Sequence, residues 1–174
     1  MRQFLFKRHP RSMPHRPTRR IHRRAPRQFY RRRNHKTLEL NEDIIKDKGK
    51  EPYVINIEDA TLDNQTYRTT IWTGEYLQST LMKINVGDDI GLEIHPETDQ
   101  FLRIEEGAGI AQMGNDKNNL TFERPVKSGD AVFVPANTWH NIINTSKIPL
   151  KLYSIYAPPH HKKGTVQVTK SDPE

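Results

Sequence analysis

Two short segments, each beginning at a glycine, constrain the fold of this chain more than any other part of its sequence. The first runs from Gly87 to Gly107 and reads GDDIGLEIHPETDQFLRIEEG, and the second runs from Gly129 to Asn144 and reads GDAVFVPANTWHNIIN. Both consist of short apolar or alternating runs separated by Gly, Pro, Asn and Asp, a pattern typical of paired β-strands joined by tight turns. Together they contain four side chains able to bind a metal ion from one direction.

The same pattern continues through the rest of the chain from residue 51 onward. It predicts ten short strands: Tyr53–Ile57, Tyr67–Trp72, Leu77–Val86, Ile90–His95, Gln100–Glu105, Ile110–Met113, Leu120–Arg124, Ala131–Val134, His140–Asn144 and Leu150–Tyr156. Short strands at regular spacing favour an all-β sandwich or barrel, and this half shows no helical period of useful length. A barrel of about eight strands has room for its own side chains and one small ligand.

The first 36 residues differ in kind from the rest. They contain 12 Arg, 2 Lys and 4 His but no Asp or Glu, so their formal charge is +14. The remaining 14 basic residues are outnumbered by all 21 acidic ones, which leaves −7 on residues 37–174. Prolines and unscreened charge predict a disordered Arg-rich arm over 1–36, followed by a linker over 37–49 and a folded domain over 50–174. We expect the arm to contact a polyanion, or otherwise to be a solvated, non-specific tail.

Other features of composition narrow the cellular setting. The chain has no cysteine, so neither a disulfide nor a thiolate ligand is available. We expect no transmembrane segment, because no apolar run approaches the length that spans a bilayer. Phe4-Leu5-Phe6 is too short for the apolar part of a secretory signal. These features predict a cytoplasmic protein, either free or attached to an anionic surface or assembly.

Four polar side chains in the two glycine-bounded segments form the candidate site. Glu93 and His95 are two residues apart, which places both on one face of a strand. Gln100 can return to that face on the next strand, and His140 lies on a later one. A carboxylate with two imidazoles suits non-haem Fe(II), and Mn, Ni or Zn can use the same ligands. The alternative is a polar network without a metal, in which these groups satisfy one another by hydrogen bonds.

In these two segments the chain resembles the cupin superfamily, over roughly residues 70–157. The first cupin motif is written G-x5-H-x-H-x3-4-E-x6-G, and its spacing is matched by Gly87, Glu93, His95, Gln100 and Gly107. The second is written G-x5-P-x-G-x2-H-x3-N, and its spacing is matched by Gly129, Pro135, Asn137, His140 and Asn144. The resemblance implies a double-stranded β-helix, or jelly-roll barrel, and a homodimer. It also implies that Glu93, His95, Gln100 and His140 surround a divalent transition metal.

Three positions depart from the cupin pattern. Asn137 stands where a turn glycine is usual, and Asn tolerates the left-handed conformation better than most residues. Glu93 replaces the first histidine and Gln100 replaces the usual glutamate, so one imidazole is lost and the carboxylate moves.

Two hypotheses for function follow from this sequence. The first is a metal-binding cupin that binds or acts on a small polar molecule, such as a sugar derivative or an organic acid. Tyr153 and Tyr156, on the last predicted strand, are candidates to line its pocket, although their spacing also suits ordinary packing. The second is a non-catalytic scaffold or ligand-binding barrel, tethered by its basic arm to an anionic surface, a spore-coat-like layer or nucleic acid.

Overall fold

The computed structural model describes residues 46–172 of the chain. Within that range the chain forms one α-helix and nine β-strands. The helix α1 spans Ile57–Asp63, and the strands are β1 (Arg68–Thr73), β2 (Gln78–Ile84), β3 (Asp99–Glu106), β4 (Ala108–Gly114), β5 (Phe122–Lys127), β6 (Ala131–Val134), β7 (Trp139–Asn144), β8 (Leu150–Ala157) and β9 (Val166–Gln167).

The strands form two antiparallel sheets that enclose a shared interior. One sheet has the order β6-β3-β8-β2-β1-β9 and the other has the order β5-β4-β7. The segment between β2 and β3 extends the smaller sheet, because Asp89 bridges to Ile143 and Glu93 bridges to His140. Two sheets closed on one core are the jelly-roll barrel that the sequence predicted. The all-β prediction is therefore confirmed.

The interior of the barrel changes character along its length. Met82, Leu152 and Ile104 lie side by side on β2, β8 and β3, each at most 1% exposed. We call these three residues the apolar row. They belong to a core cluster drawn from both sheets, which also contains Tyr67, Ile84, Ile90, Leu102, Ala111, Val126, Val132, Val134, Ile142 and Leu150.

Four residues away on each of the same strands, the interior becomes polar. Gln78, Tyr156 and Gln100 lie side by side on β2, β8 and β3, and each is at most 2% exposed. We call these three residues the polar row. Since a strand repeats its side-chain direction every two residues, both rows face the same interior. The candidate site lies at the end of the barrel that holds the polar row.

A second, smaller cluster covers the outer face of the six-stranded sheet. The helix α1 begins at Asn56, whose side-chain oxygen accepts a hydrogen bond from the Asp59 N–H at 3.3 Å, and Glu58 and Asp59 place negative charge in its first turn. The helix packs on the sheet through a cluster of buried and partly buried residues: Ala60, Ile71, Leu81, Ile55, Ile57 and Tyr153. The helix therefore covers one face of the sheet and leaves the interior to the site.

The described chain begins with a segment attached to the barrel through Asp47. The Asp47 carboxylate accepts hydrogen bonds from the Thr73 hydroxyl at 2.6 Å and from the Gly164 N–H at 3.1 Å. The predicted arm over residues 1–36 and most of the predicted linker lie outside the described residues. The domain boundaries therefore stay predictions, although Asp47, inside the predicted linker, already contacts the barrel.

Two strand predictions were wrong, and one strand was missed. Tyr53–Ile57 is irregular up to the cap of α1, because Asn56 starts a helix there. Ile90–His95 makes only isolated bridges, since Gly91, at φ 85°, interrupts the ladder. β9 is two residues long, which is too short for an alternating pattern to show. In the part of the chain that the structure describes, no helix is long and apolar enough to cross a membrane.

Candidate metal centre

The structure brings Glu93, His95 and His140 together at the polar end of the barrel. Their ligand atoms all lie within 4.8 Å of one another. The Nε2 atoms of His95 and His140 each lie 3.4 Å from Oε1 of Glu93. His95 and His140 are at most 3% exposed, while the Glu93 side chain is 23% exposed. The three residues therefore form a compact group with one carboxylate oxygen at its centre.

Backbone contacts between the two motif segments hold this group in place. Glu93 and His140 exchange two backbone hydrogen bonds, at 2.9 and 3.1 Å. The Asn137 N–H donates to the carbonyl of His95 at 2.8 Å. Asn137 has a φ of 60°, the left-handed conformation that its place in the motif requires. The turn before His140 is therefore the element that positions His95.

The His140 ring is oriented by the backbone. Its Nδ1 lies 2.9 Å from the carbonyl oxygen of Thr138, which can only accept a hydrogen bond, so Nδ1 donates to it. This contact directs Nε2 toward Oε1 of Glu93, 3.4 Å away. Metal-binding histidines are commonly oriented by a hydrogen bond of this kind from the other ring nitrogen.

The unsatisfied atoms of this group fit a metal ion. Among the described residues, Glu93 Oε1, His140 Nε2 and both ring nitrogens of His95 have no hydrogen-bond partner, although all are buried. Buried polar atoms are normally satisfied, and four such atoms in one group call for a further occupant. Bonds of about 2.1 Å to a central ion place neighbouring ligand atoms about 3.0 to 3.4 Å apart in octahedral or tetrahedral geometry. The two 3.4 Å separations agree with that spacing.

The charge state of Glu93 also suits a cation. Burial alone would raise the pKa of this carboxyl group. His140 and His95 beside it, together with the charge of Arg68, outweigh that effect and hold its pKa well below the usual range. Glu93 is therefore a carboxylate at neutral pH and supplies one negative charge to the centre.

Arg68 stands directly behind Glu93. It lies on β1 directly opposite Met82 on β2. Because residues paired in this way point to the same face of a sheet, the Arg68 side chain points into the barrel, as Met82 does. One guanidinium nitrogen lies 3.8 Å from Oε2 of Glu93, and another donates to Oε1 of Gln167 at 2.9 Å. The Arg68 side chain is 5% exposed. This residue was not predicted from the sequence, because only the pairing of β1 with β2 and β9 brings it to the site.

Of the other predicted site residues, Gln100 and Tyr156 point into the barrel, whereas Tyr153 points to the outer face of β8. Gln100 is buried in the polar row, where its amide nitrogen donates to Ser154 Oγ at 2.8 Å. Its amide oxygen has no partner in the described region and is free to accept a hydrogen bond or a ligand. Tyr156 is fully buried in the same row, and its ring centroid lies 5.7 Å from that of His95. Tyr153 packs in the outer cluster beneath α1, on the face of β8 away from the site.

The Tyr156 hydroxyl stays protonated in this environment. Burial raises its pKa to about 12, although the charge of Arg68 works in the opposite direction. The hydroxyl makes no hydrogen bond of normal geometry within the described residues. It is therefore a buried, protonated hydroxyl on a ring that lies beside His95.

The segment after β8 carries His160 and His161, whose position in a Pro-flanked, charged tail predicts exposed side chains. His160 is exposed as predicted, whereas His161 is 6% exposed, so the prediction was wrong for His161. The sequence did not predict that the His160 ring lies against His95, with ring centroids 3.9 Å apart. Gln78 of the polar row fixes this position, because its side-chain oxygen accepts from the backbone N–H groups of His160 and His161 at 3.2 and 2.8 Å. The segment after β8 therefore covers one side of the site.

A sizeable cleft lies away from this group of residues. It has a volume of about 770 Å³ and opens between β5 and β6, with Phe122 and Phe133 among its lining residues. None of the three metal-binding candidates lines it. Size alone is therefore a poor guide here, and the unsatisfied polar atoms indicate the site better.

Two antiparallel sheets surround an interior that carries one carboxylate and two imidazoles. These features define the class of the protein: a small β-barrel with a candidate metal site. The family model described as Cupin domain matches residues 80–156, which contain all three residues of that centre. The chain belongs to the cupin superfamily.

Individual relatives agree with this assignment. The uncharacterized protein YrkC of Bacillus subtilis strain 168 is 58% identical over 129 residues, covering 74% of this chain and 69% of that protein. An uncharacterized protein of Acanthamoeba polyphaga mimivirus is 41% identical over 119 residues, covering 68% and 72% respectively. The crystal structure of BH2720 from Bacillus halodurans has a TM-score of 0.72 and 57% identity, covering 73% of this chain and 96% of that one.

Proposed function

We propose that this protein is a metal-binding cupin that binds or acts on a small polar molecule inside its barrel. Glu93, His95 and His140 hold a divalent transition metal, which is Fe, Mn, Ni or Zn. One observation carries the proposal: the ligand atoms of these residues converge within 4.8 Å, and several of them are buried without a hydrogen-bond partner in the described region.

A metal ion at this place would polarise a bound oxygen atom or serve as a redox centre. The residues around the ion would orient its ligands. The Thr138 carbonyl orients His140, and Arg68 orients Glu93, so each ligand atom faces the centre. The amide oxygen of Gln100 is available either as a weak further ligand or as an acceptor for a ligand hydroxyl.

Elemental analysis of the full-length protein, purified without chelator, tests the metal proposal. We expect about one transition-metal ion per chain in the wild type and loss of that ion in His140→Ala, because a two-ligand remainder binds weakly. Histidines in the basic arm can also scavenge ions. His35→Ala is therefore the matched control, since it removes one imidazole from the arm and should keep the ion.

Two results would contradict the proposal. One is a wild-type protein that holds no stoichiometric ion after reconstitution with Fe, Mn, Ni and Zn in turn. The other is a His140→Ala variant that keeps its ion in full. Either result would favour the alternative of a polar network without a metal.

The second candidate function is a tethered barrel, and the division of charge in the sequence favours it. Residues 1–36 carry +14, whereas residues 37–174 carry −7. A basic segment of this density binds polyanions through charge, with an affinity that falls steeply as salt rises. We propose that the arm attaches the barrel to such a surface in the cytoplasm, whether nucleic acid, acidic lipid or an assembled protein layer.

Deletion of residues 1–36 separates the two functions. A metal-dependent barrel should keep its ion and ligand binding without the arm, while a tethered barrel should lose its location in the cell. The tether is tested in vitro by measuring the affinity for DNA at rising salt concentrations. The affinity of the full-length protein should fall steeply with salt, and this salt dependence should disappear when the arm is deleted. Unchanged location and unchanged DNA binding after the deletion would exclude the tether.

Formation of a homodimer stays a family-based proposal, to be tested by sedimentation.

A further inference from the structure

We propose that His160 is a positioning residue for the metal centre: its ring lies against the His95 ring and holds that ring in the orientation that binds the ion. This inference rests on the proposed metal centre and adds to it a residue from the segment after β8. His160 acts through its contact with His95 and is not itself a ligand of the ion.

The two histidines of the centre are held in different ways. The His140 ring is oriented by the hydrogen bond from its Nδ1 to the Thr138 carbonyl oxygen at 2.9 Å. In the described part of the chain, neither ring nitrogen of His95 makes a hydrogen bond of normal geometry. A metal-binding histidine is usually oriented by a hydrogen bond from the nitrogen that does not bind the metal. Since His95 lacks this bond, its orientation depends on the side chains packed around it.

Of the rings packed around His95, His160 is the closest. Among the described residues, the ring centroids of Tyr156, His140 and His160 lie 5.7, 5.1 and 3.9 Å from that of His95. Tyr156 and His140 approach edge to face, whereas the His160 ring is tilted by 54° and lies against the His95 ring. Close packing of this kind restricts a side chain to one orientation. His160 therefore limits rotation of the His95 ring more than the other two rings do.

His160 is an exposed residue that the barrel nevertheless holds in a defined place. Its backbone N–H donates to the side-chain oxygen of Gln78 at 3.2 Å, and Gln78 is fully buried in the polar row. This contact fixes the start of the His160 side chain beside His95, which is 3% exposed. Removal of an exposed side chain usually changes stability little. The effect of His160 on the metal centre can therefore be measured separately from any effect on the fold.

Cobalt binding to the full-length protein tests this role. The affinity for Co²⁺ is measured by competition with a coloured chelator for the wild type, His160→Ala and His160→Phe. Phenylalanine keeps a ring but has no nitrogen, so it separates packing on His95 from direct binding of the ion. A second measurement follows the ring N–H proton of His95 by NMR, where bound Co²⁺ shifts its signal, and records how fast that proton exchanges with D₂O. His35→Ala is the matched control, because it removes one imidazole from the arm.

We expect His160→Ala to bind Co²⁺ roughly ten- to one-hundredfold more weakly than the wild type, which is the usual effect of losing a group that orients a metal ligand. His160→Phe should bind within about threefold of the wild type, because a ring again packs against His95. The His95 ring proton should exchange faster in His160→Ala than in the other two proteins. His35→Ala should bind like the wild type, and the urea midpoint of metal-free His160→Ala should be unchanged.

The outcomes distinguish this inference from the proposed function. A wild type that takes up neither cobalt nor another metal contradicts the metal centre itself. Wild-type affinity in His160→Ala overturns the positioning role and leaves the metal centre standing. An equal loss in His160→Ala and His160→Phe also overturns it, because the ion would then bind the His160 ring directly. A His160→Ala variant that fails to fold, or unfolds at clearly lower urea without metal, would show that His160 supports the fold and would likewise overturn the role.

Discussion

The two rows of the barrel interior come from the same three strands and differ in what they do. The apolar row of Met82, Leu152 and Ile104 is packed in the core cluster. The polar row, four residues away on each strand, contains atoms on Tyr156 and Gln100 that lack a partner in the described region. The comparison shows that a single strand can carry packed apolar side chains at one end and buried polar side chains at the other. The polar end keeps unsatisfied groups that a packed core would not retain.

The largest effect on stability is expected at the apolar row. Leu152→Ala removes a fully buried side chain from the middle of the larger sheet and leaves a cavity. We expect the free energy of unfolding to fall by about 2 to 5 kcal/mol, measured by urea denaturation of the metal-free protein. Metal uptake by the fraction that remains folded should stay at the wild-type level. A loss below about 1 kcal/mol would mean that the two rows do not differ in the way described.

A smaller, pH-dependent effect is expected outside both rows, at Asp47. Burial alone would raise the pKa of this carboxyl group, but hydrogen bonds from Thr73, Gly49 and Gly164 outweigh it and lower the pKa below its ordinary value of 3.8. A carboxyl group whose pKa is lower in the folded than in the unfolded protein stabilises the fold. This stabilisation is complete above the unfolded pKa and is lost as the pH falls through the folded pKa. Asp47→Asn should cost about 1 to 2 kcal/mol at pH 7.

Denaturation curves of Asp47→Asn and the wild type at pH 7 and pH 3 check this prediction. The difference between the two proteins should shrink at the lower pH, because the wild-type carboxylate begins to protonate there. A difference that stays constant would show that the charge of Asp47 contributes nothing. The same experiment shows how much of the acid sensitivity arises away from the metal centre.

A substitution next to the polar row should have little effect or the opposite sign. Thr80→Val keeps the shape of a fully buried side chain and removes a hydroxyl that makes no normal hydrogen bond in the described region. We expect the metal-free protein to be as stable as the wild type or up to about 1 kcal/mol more stable. A loss comparable to that of Leu152→Ala would show that the hydroxyl is satisfied in solution.

The smallest effect is expected on the outer surface, at the cleft between β5 and β6. Phe133 is 70% exposed there, so Phe133→Ser should change the stability of the monomer by less than about 0.5 kcal/mol. Sedimentation velocity of the wild type and the variant shows whether this face joins two copies. A stable wild-type dimer that dissociates in the variant would place the family-type interface at Phe133. An unchanged dimer would place it elsewhere.

The sequence predicted the barrel, and its four candidate ligands include the three that the structure brings together, because both predictions depend on local spacing. Glu93 and His95 follow the two-residue period of extended chain, and the glycines at positions 87, 107 and 129, all with positive φ, fix the turns between the segments. Asn137 adopts the left-handed conformation that its motif position predicts. Such features can be recognised without knowing which strands pair.

Arg68, His160 and the direction of Tyr153 could not be predicted, because each depends on contacts between distant parts of the chain. Arg68 reaches the interior through the register of β1 against β2, some 14 residues away in sequence. His160 is held by Gln78, 82 residues earlier. Tyr153 and Tyr156 both suit a pocket by residue type, but only the packing of α1 decides which face of β8 is the outer one.

The single side chain of Gln78 links two parts of the chain that are far apart in sequence. It accepts from the N–H groups of His160 and His161, and it also donates to the carbonyl of His161 at 2.8 Å. Three hydrogen bonds between β2 and the segment after β8 therefore depend on one amide group. Loss of that amide would remove all three at once, so a single substitution at position 78 would weaken the attachment of the segment that brings His160 against His95.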